Sequence, residues 1–313
     1  MKLLFVLVAS LLFFSCKKNK DASIKLLRKE ATTNAGSVLI NEYVYDSQDR
    51  IIAIKQAENN APLAVAVTIS YNGNVASLIS HPQYDPSYNI SKEVRLTLDA
   101  SGKLLKKIGY SYLVDTYNSS SIRFKYDTLV CVYDAAGFLK ETRRGFYDST
   151  RAAPGITMAD RATYNDTFTT VAGNLTRLDR YTVFNRIIIN TSGTILSGGS
   201  AENHTTFNST KLYPNKTDFR NAAVLNETLD FYGFQDYYGW VGYFEPLLDG
   251  QYQNMPEKAV THSVERDLNG TVTFNYTSTY EVARTYNPDG LLSVVDLLTV
   301  GTPYTKLRYF YVR

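Results

Sequence analysis

The chain has 313 residues, 44% hydrophobic and 13% aromatic, with 33 Lys and Arg against 30 Asp and Glu, and two cysteines. The near balance of charge excludes a partner chosen by bulk electrostatics, such as nucleic acid. Two cysteines exclude a disulfide framework, so a packed core must hold the fold.

The N-terminus reads as an export signal. Met1-Lys2 precedes an apolar run, Leu3–Phe14, shorter than the ~20 residues that span a bilayer. Ser15 stands directly before Cys16, where the run ends, and Lys17-Lys18-Asn19-Lys20 follows. This resembles a bacterial lipoprotein signal, which implies cleavage before Cys16 and acyl chains on that residue. An ordinary secretory signal with an incidental Cys16 is the alternative. Two or more acyl chains would anchor the protein stably in a membrane. Residues 1–15 are then signal, 16–36 lipidated Cys and polar tether, and 37–313 one β-rich domain. Cys131, in an apolar strand pattern, is expected to be an inert buried thiol.

From Ser37 onward the chain reads as successive hairpins. A seven-residue tip recurs as YDSQDRI (Tyr45–Ile51), LDASGKL (Leu98–Leu104), YDAAGFL (Tyr133–Leu139), INTSGTI (Ile189–Ile195) and YNPDGLL (Tyr286–Leu292), with a looser RDLNGTV at Arg266–Val272. A D-x-x-G tetrad suits a type I turn followed by a residue at φ > 0. Asp46, Asp99, Asp134 and Asn287 are the expected acceptors of turn N–H groups, and Gly137 and Gly290 the left-handed residues. Asn72-Gly73 and Ala172-Gly173 mark tighter turns. Strands are expected at Val65–Tyr71, Val75–Ile79, Val94–Leu98, Lys103–Tyr112 and Leu129–Tyr133. Loops are expected at 81–90 and 148–162. The rhythm then breaks over 197–260, with one strand near Thr205–Leu212, and returns to the end of the chain. The fold class is all-β: a curved antiparallel β-meander or open barrel. An irregular, short-helical aromatic segment near 213–250 would plug or cap it.

The tips at Tyr45-Asp46, Tyr133-Asp134 and Tyr286-Asn287 resemble the YD repeats of bacterial shell and toxin-associated proteins. With the Cys16 signal and Tyr213-Pro-Asn-Lys-Thr-Asp218, the chain resembles a Bacteroidota lipoprotein family known only as a domain of unknown function. That resemblance implies an all-β extracytoplasmic lipoprotein of the outer membrane, facing the periplasm or the cell surface. It supplies no catalytic residues.

Motifs for chemistry are sparse. His81, His204 and His262 are scattered, so a metal site would need the fold to assemble it, and solvated histidines are the simpler reading. No nucleophile elbow, phosphate loop or dinucleotide fingerprint occurs, and no cofactor is expected. The tip carboxylates, Asp289 among them, are explained by the turns without a ligand. The aromatic segment Phe231–Phe244 is the best candidate surface, with Tyr237, Tyr238 and Trp240 as ligand-stacking residues and Asp236 and Glu245 as polar contacts. The same rings could instead form core. The function read from these residues is a lipid-anchored, non-catalytic envelope protein that binds a glycan, a peptide or another envelope protein. The alternatives are a hydrolase working through an acidic pair and a scaffold assembling through exposed strand edges.

Overall fold

A computed structural model describes residues 25–33, 36–81, 88–115, 122–151, 155–190, 192–214, 224, 254–267, 269–288, 291–299 and 302–312. The strands are β1 (Lys25–Thr33), β2 (Val38–Tyr45), β3 (Ile51–Glu58), β4 (Ala64–Asn72), β5 (Val75–Ser80), β6 (Tyr88–Leu98), β7 (Leu104–Asp115) and β8 (Ile122–Tyr133). They continue as β9 (Leu139–Arg151), β10 (Ile156–Val171), β11 (Asn174–Asn190), β12 (Ile195–Pro214), β13 (Asn254–Asp267), β14 (Val272–Tyr286), β15 (Leu292–Thr299) and β16 (Thr302–Val312). Each pairs antiparallel with its sequence neighbours, giving the all-β meander that the tips imply.

The meander closes on itself. β1 pairs with β2 on one side and with β16 on the other, Lys25 opposite Val312 and Thr33 opposite Thr305. The terminal strands thus complete a ring, but the strands are unequal in length: β14 runs past β15 over Val272–Thr279, and β12 runs past β13 over Ile195–Ser200. The closing strand lies within the stretch expected to be tether. Its charged residues hide the pattern: Leu26 and Lys29 are both buried, and Lys29 sits over the Tyr309 ring.

Up-and-down connectivity gives the barrel two ends. One end carries the chain termini of the barrel and the turns at 46–50, 99–103, 134–138 and 287–291; the other carries the turns at 190–194 and 267–271. In the YDAAGFL tip, Asp134 Oδ1 accepts N–H bonds from Ala136 and Phe138, and Gly137 takes φ +85°. Asp46, Asp99 and Asn287 accept the corresponding bonds in their own turns. Asp49 takes φ +62° where the other tips have Gly. Gly290 lies outside the described residues.

The tip is a handed object, and a meander runs the same way round at both ends. The same turn must therefore present opposite faces at the two ends. Tyr45, Leu98, Tyr133 and Tyr286, first residues of the tips at the terminal end, lie on the inward face. Ile189 and Arg266, first residues of the tips at the far end, lie on the outward face. The tips thus deliver apolar rings into one end of the barrel.

That end is filled. Leu26, Tyr43, Ile51, Ile54, Val67, Leu78, Val94, Leu96, Leu175 and Leu178 form one buried cluster, with Tyr45, Leu98, Phe138, Phe168 and Tyr286 packed against it. Ile54 on β3 and Leu178 on β11 stand eight strands apart either way round the ring, so the cluster joins opposite walls. Val224, from the β12–β13 connection, is fully buried in the same cluster. The terminal end is a sealed apolar floor.

The outward face is mixed: exposed apolar side chains, Tyr110, Tyr112, Val130 and Val132 among them, share it with charges. It carries the ion pairs Glu42–Lys55, Glu93–Arg95, Glu141–Arg143 and Asp179–Arg177, and β10 contributes Thr157, Arg161, Thr163, Asn165 and Thr167. A lipid-facing barrel wall is apolar on this face and loses stability for each charge placed there. The charges of β9 and β11 depart from that pattern, whereas the exposed rings of β7 do not.

Candidate functional site

Above the floor the inward face turns polar. Register fixes which residues share that face, because side chains alternate along each strand. One row runs from Asp166 on β10 through Arg180, Thr205 and Ser263 to Tyr276 on β14. The next runs from Lys107 on β7 through Leu129, Arg144, Tyr164, Thr182, Asn203 and Glu265 to Phe274. Higher still come Asp127, Phe146, Ala162 and Phe184, and then Lys125, Asp148, Asp160, Arg186 and Gly199.

Four arginines clamp four aspartates across neighbouring strands. Arg123 and Arg144 reach Asp148 and Asp127 diagonally between β8 and β9. Arg180 and Arg186 meet Asp166 and Asp160 directly between β10 and β11. Each clamp uses Nε and Nη2 of the guanidinium, the fork geometry that matches a carboxylate. Lys107 Nζ lies 3.1 Å from Asp127, and Lys125 Nζ 3.8 Å from Asp148. Burial pushes the Asp127 carboxyl up, but the charges of Lys107 and Arg144 outweigh it and hold that group below the ordinary aspartate value. Aromatic rings interleave: Arg144 and Arg180 both lie 5.7 Å from the Tyr164 ring, and Arg186 lies 5.5 Å from Phe184.

In every clamp the cation is the more exposed partner. The side-chain exposures are 22% and 9% for Arg180–Asp166, 36% and 14% for Arg144–Asp127, 40% and 8% for Arg123–Asp148, and 50% and 21% for Arg186–Asp160. The arginine values rise from Arg180 through Arg144 to Arg186, and Arg123, one row higher, stays near the middle of that range. Solvent therefore enters the upper barrel, and the four ion-pair dipoles turn their positive ends toward it. Gly199, directly opposite Arg186 on the same face, has open space where a Cβ would stand.

Asp148 and Asp160 are directly opposed on β9 and β10. Like charges in that position repel. Arg123, Lys125 and Arg186 answer the repulsion, so the structure explains the pair as part of an ion-pair network.

The sequence candidates fall elsewhere. Tyr237, Tyr238 and Trp240, with Asp236 and Glu245, lie outside the described residues, as does Cys16. The flanking residues Pro214 and Asn254 pair with each other at the floor end. His81, His204 and His262 sit beside Thr68, Asp179 and Thr277 respectively, each at a separate place. Among the described residues no group of three or more His, Cys, Asp or Glu side chains could hold a metal ion. Cys131 is only partly buried, on the inward face opposite Thr142. Sequence reasoning missed the clamps because their partners are 14 to 26 residues apart. Pairing register is the only signal that joins them.

No protein-family model matches the chain, and none of the curated proteins does. Two solved structures are similar to it in outline. One is a porin-like protein from Bacteroides vulgatus, 11% identical, with a TM-score of 0.47 over 93% of this chain and 99% of that one. The other is a porin-like protein from Bacteroides uniformis, 11% identical, with a TM-score of 0.40 over 92% of this chain and 96% of that one.

Proposed function

We propose that the protein is a lipid-anchored, non-catalytic binding protein of the cell envelope, and that it holds its ligand in the upper barrel. The observation that carries this reading is the set of inward-facing arginines, Arg123, Arg144, Arg180 and Arg186, each more exposed than the aspartate it holds, above a packed floor. A packed floor suits a cup rather than a channel, and the ion pairs on the outer wall suit a barrel standing off the bilayer.

The anchor fits this orientation. Cys16 precedes Lys25 by nine residues, which span at most about 30 Å. Lys25 begins β1 at the floor end. Acylation at Cys16 would tether the floor toward the membrane and turn the mouth away. The tips, the anchor and the β-rich chain together keep the likeness to the Bacteroidota lipoprotein family as part of this proposal.

The test is a screen of full-length protein in detergent on glycan and envelope-polymer arrays, beside Gly199→Trp and Ser200→Trp. The first substitution puts a ring across the inner rim of the cup; the second places the same ring on the outer side of the wall. Binding lost only in Gly199→Trp, with both melts unchanged, is the expected result. Hits retained by both variants would overturn a ligand site inside the barrel. The opposed Asp148 and Asp160 define the alternative, a hydrolase. Cleavage of a bound glycan that is abolished in Asp160→Asn would establish it.

A further inference from the structure

The lining of the cup is sorted by chemistry around the ring. Cations occupy β7 to β11: Lys107, Arg123, Lys125, Arg144, Arg180 and Arg186. They exceed the four inward aspartates of the same wall, and all but Lys107 are the more exposed members of their pairs. Short hydroxyl and amide side chains follow on β11 to β13, Thr182, Asn203, Thr205 and Ser263, with a single carboxylate, Glu265, between Asn203 and Phe274. An aromatic pair closes the series on β14, where the Phe274 and Tyr276 rings lie 4.9 Å apart and Phe274 is half exposed. Register ties these groups together, since Arg180 shares its row with Tyr276, and Arg144 shares its row with Phe274.

We infer that the cup takes an acidic oligosaccharide. Resting on the reading of the upper barrel as a ligand cup, this names the ligand's class. Guanidinium groups recognise carboxylate or sulfate oxygens. Hydroxyl and amide groups match sugar hydroxyls. An exposed aromatic pair offers faces to the C–H side of a pyranose ring. From β11 to β14 the wall spans roughly 14 Å at the usual strand spacing. That length exceeds one sugar ring, so the site suits an oligomer with its acidic groups against β8–β11 and a neutral ring face against Phe274 and Tyr276. A small inorganic anion would use the arginines alone and leave the aromatic pair idle.

The experiment is calorimetry on full-length protein in detergent with four probes: oligogalacturonate, the same oligomer with its carboxylates methyl-esterified, a sulfated galactan oligomer, and tripolyphosphate. Wild type is compared with Arg186→Gln, Arg123→Gln and Phe274→Ala, and each melt is checked. An acidic oligomer should bind. Either arginine variant should weaken it about tenfold or more, as expected for one lost charge-assisted contact, and Phe274→Ala should weaken it too. The methyl ester should bind far less. Preference between the carboxylate and sulfate probes identifies the acidic group. Three results would overturn the inference: equal binding of the methyl ester, tripolyphosphate binding as tightly as either oligomer, or no binding of either acidic oligomer. Binding of the ester that Gly199→Trp abolishes would leave the cup standing and remove only its acidic class. Binding indifferent to Gly199→Trp would remove both.

Discussion

Tyr133 donates its phenol hydrogen to the carbonyl of Leu104 at 2.8 Å, tying the foot of β8 to the foot of β7. Two more tyrosines repeat the bond: Tyr45 to Leu26 at 2.7 Å and Tyr71 to Ile51 at 2.9 Å. Each stands at the floor end of an even-numbered strand and reaches back to the start of the strand before it. The latch explains why a tyrosine, rather than a plain apolar residue, opens two of the tips. Tyr45→Phe should keep the ring in the floor and lose the bond, at about 1 kcal/mol. Tyr45→Ala should cost several times more, on the order of 3–5 kcal/mol, because a cavity is added. Denaturant melts of both variants measure the difference.

Alkaline pH should act on the same floor. Burial pushes the Tyr71 phenol up to about 12, although Arg50 pulls the other way, and burial raises Tyr45 and Tyr311 as well. A phenol whose folded value lies above its unfolded value, about 10, holds its proton more tightly when folded. Its contribution is complete below pH about 10 and is lost as pH rises toward the folded value. Tyrosinate absorbance should therefore lag for these rings and appear together with unfolding. Ionisation of every tyrosine in one early step, with the fold intact, would contradict the buried floor.

The clamps should differ in worth according to burial. Asp127 faces the nearly buried Lys107, so Asp127→Ala should cost roughly 3–5 kcal/mol, as expected when a buried charge loses its partner. Asp160→Ala, beside the half-exposed Arg186, should cost under about 1 kcal/mol. Acid works in the same direction. The Asp127 carboxyl is depressed in the folded state, so its contribution is full above the unfolded value, about 4, and falls away as pH drops below it. Urea melts across pH 2 to 7 should show the acid loss shrink in Asp127→Ala.

Barrel closure can be cut at one place. Removing residues 302–313 deletes β16 and leaves β1 and β15 with unpaired edges. Exposed edges template association. The shortened chain should elute as large aggregates on size exclusion where full-length protein is monodisperse.

Turn chemistry made the hairpins legible from the sequence, because Asp134 and Gly137 act within one tip. The strands of the floor were legible too: in β4 and β5, Val67, Ile69, Ala76 and Leu78 alternate with less buried residues, apart from Ala66 at the β4 bulge. The rest was hidden by water on both sides of the wall. Arg144, Asp148, Asp160 and Asp166 point inward while Thr163, Asn165 and Thr167 point outward, so β9 and β10 show no apolar period. The stretch 148–162 therefore reads as loop, yet β9 runs to Arg151 and β10 begins at Ile156. β12 likewise extends well beyond Thr205–Leu212, since Ser200, Glu202 and His204 face out. Loss of periodicity in those strands marks the wall of the cup.

The most direct test of a water-filled, positively lined cup above a closed floor is cysteine reactivity in the folded, full-length Cys131→Ser protein. Single cysteines are placed at Ser197, which faces the upper interior, at Ser200 on the outer wall, and at Leu178 in the floor. Each is treated with an anionic and a cationic thiosulfonate of equal size. The cup predicts fast reaction at Ser197→Cys with preference for the anionic reagent, no such preference at Ser200→Cys, and silence at Leu178→Cys until the protein unfolds. Native Leu178→Cys reacting as fast as Ser197→Cys would mean an open channel, and a silent Ser197→Cys would mean a filled barrel; either contradicts the cup.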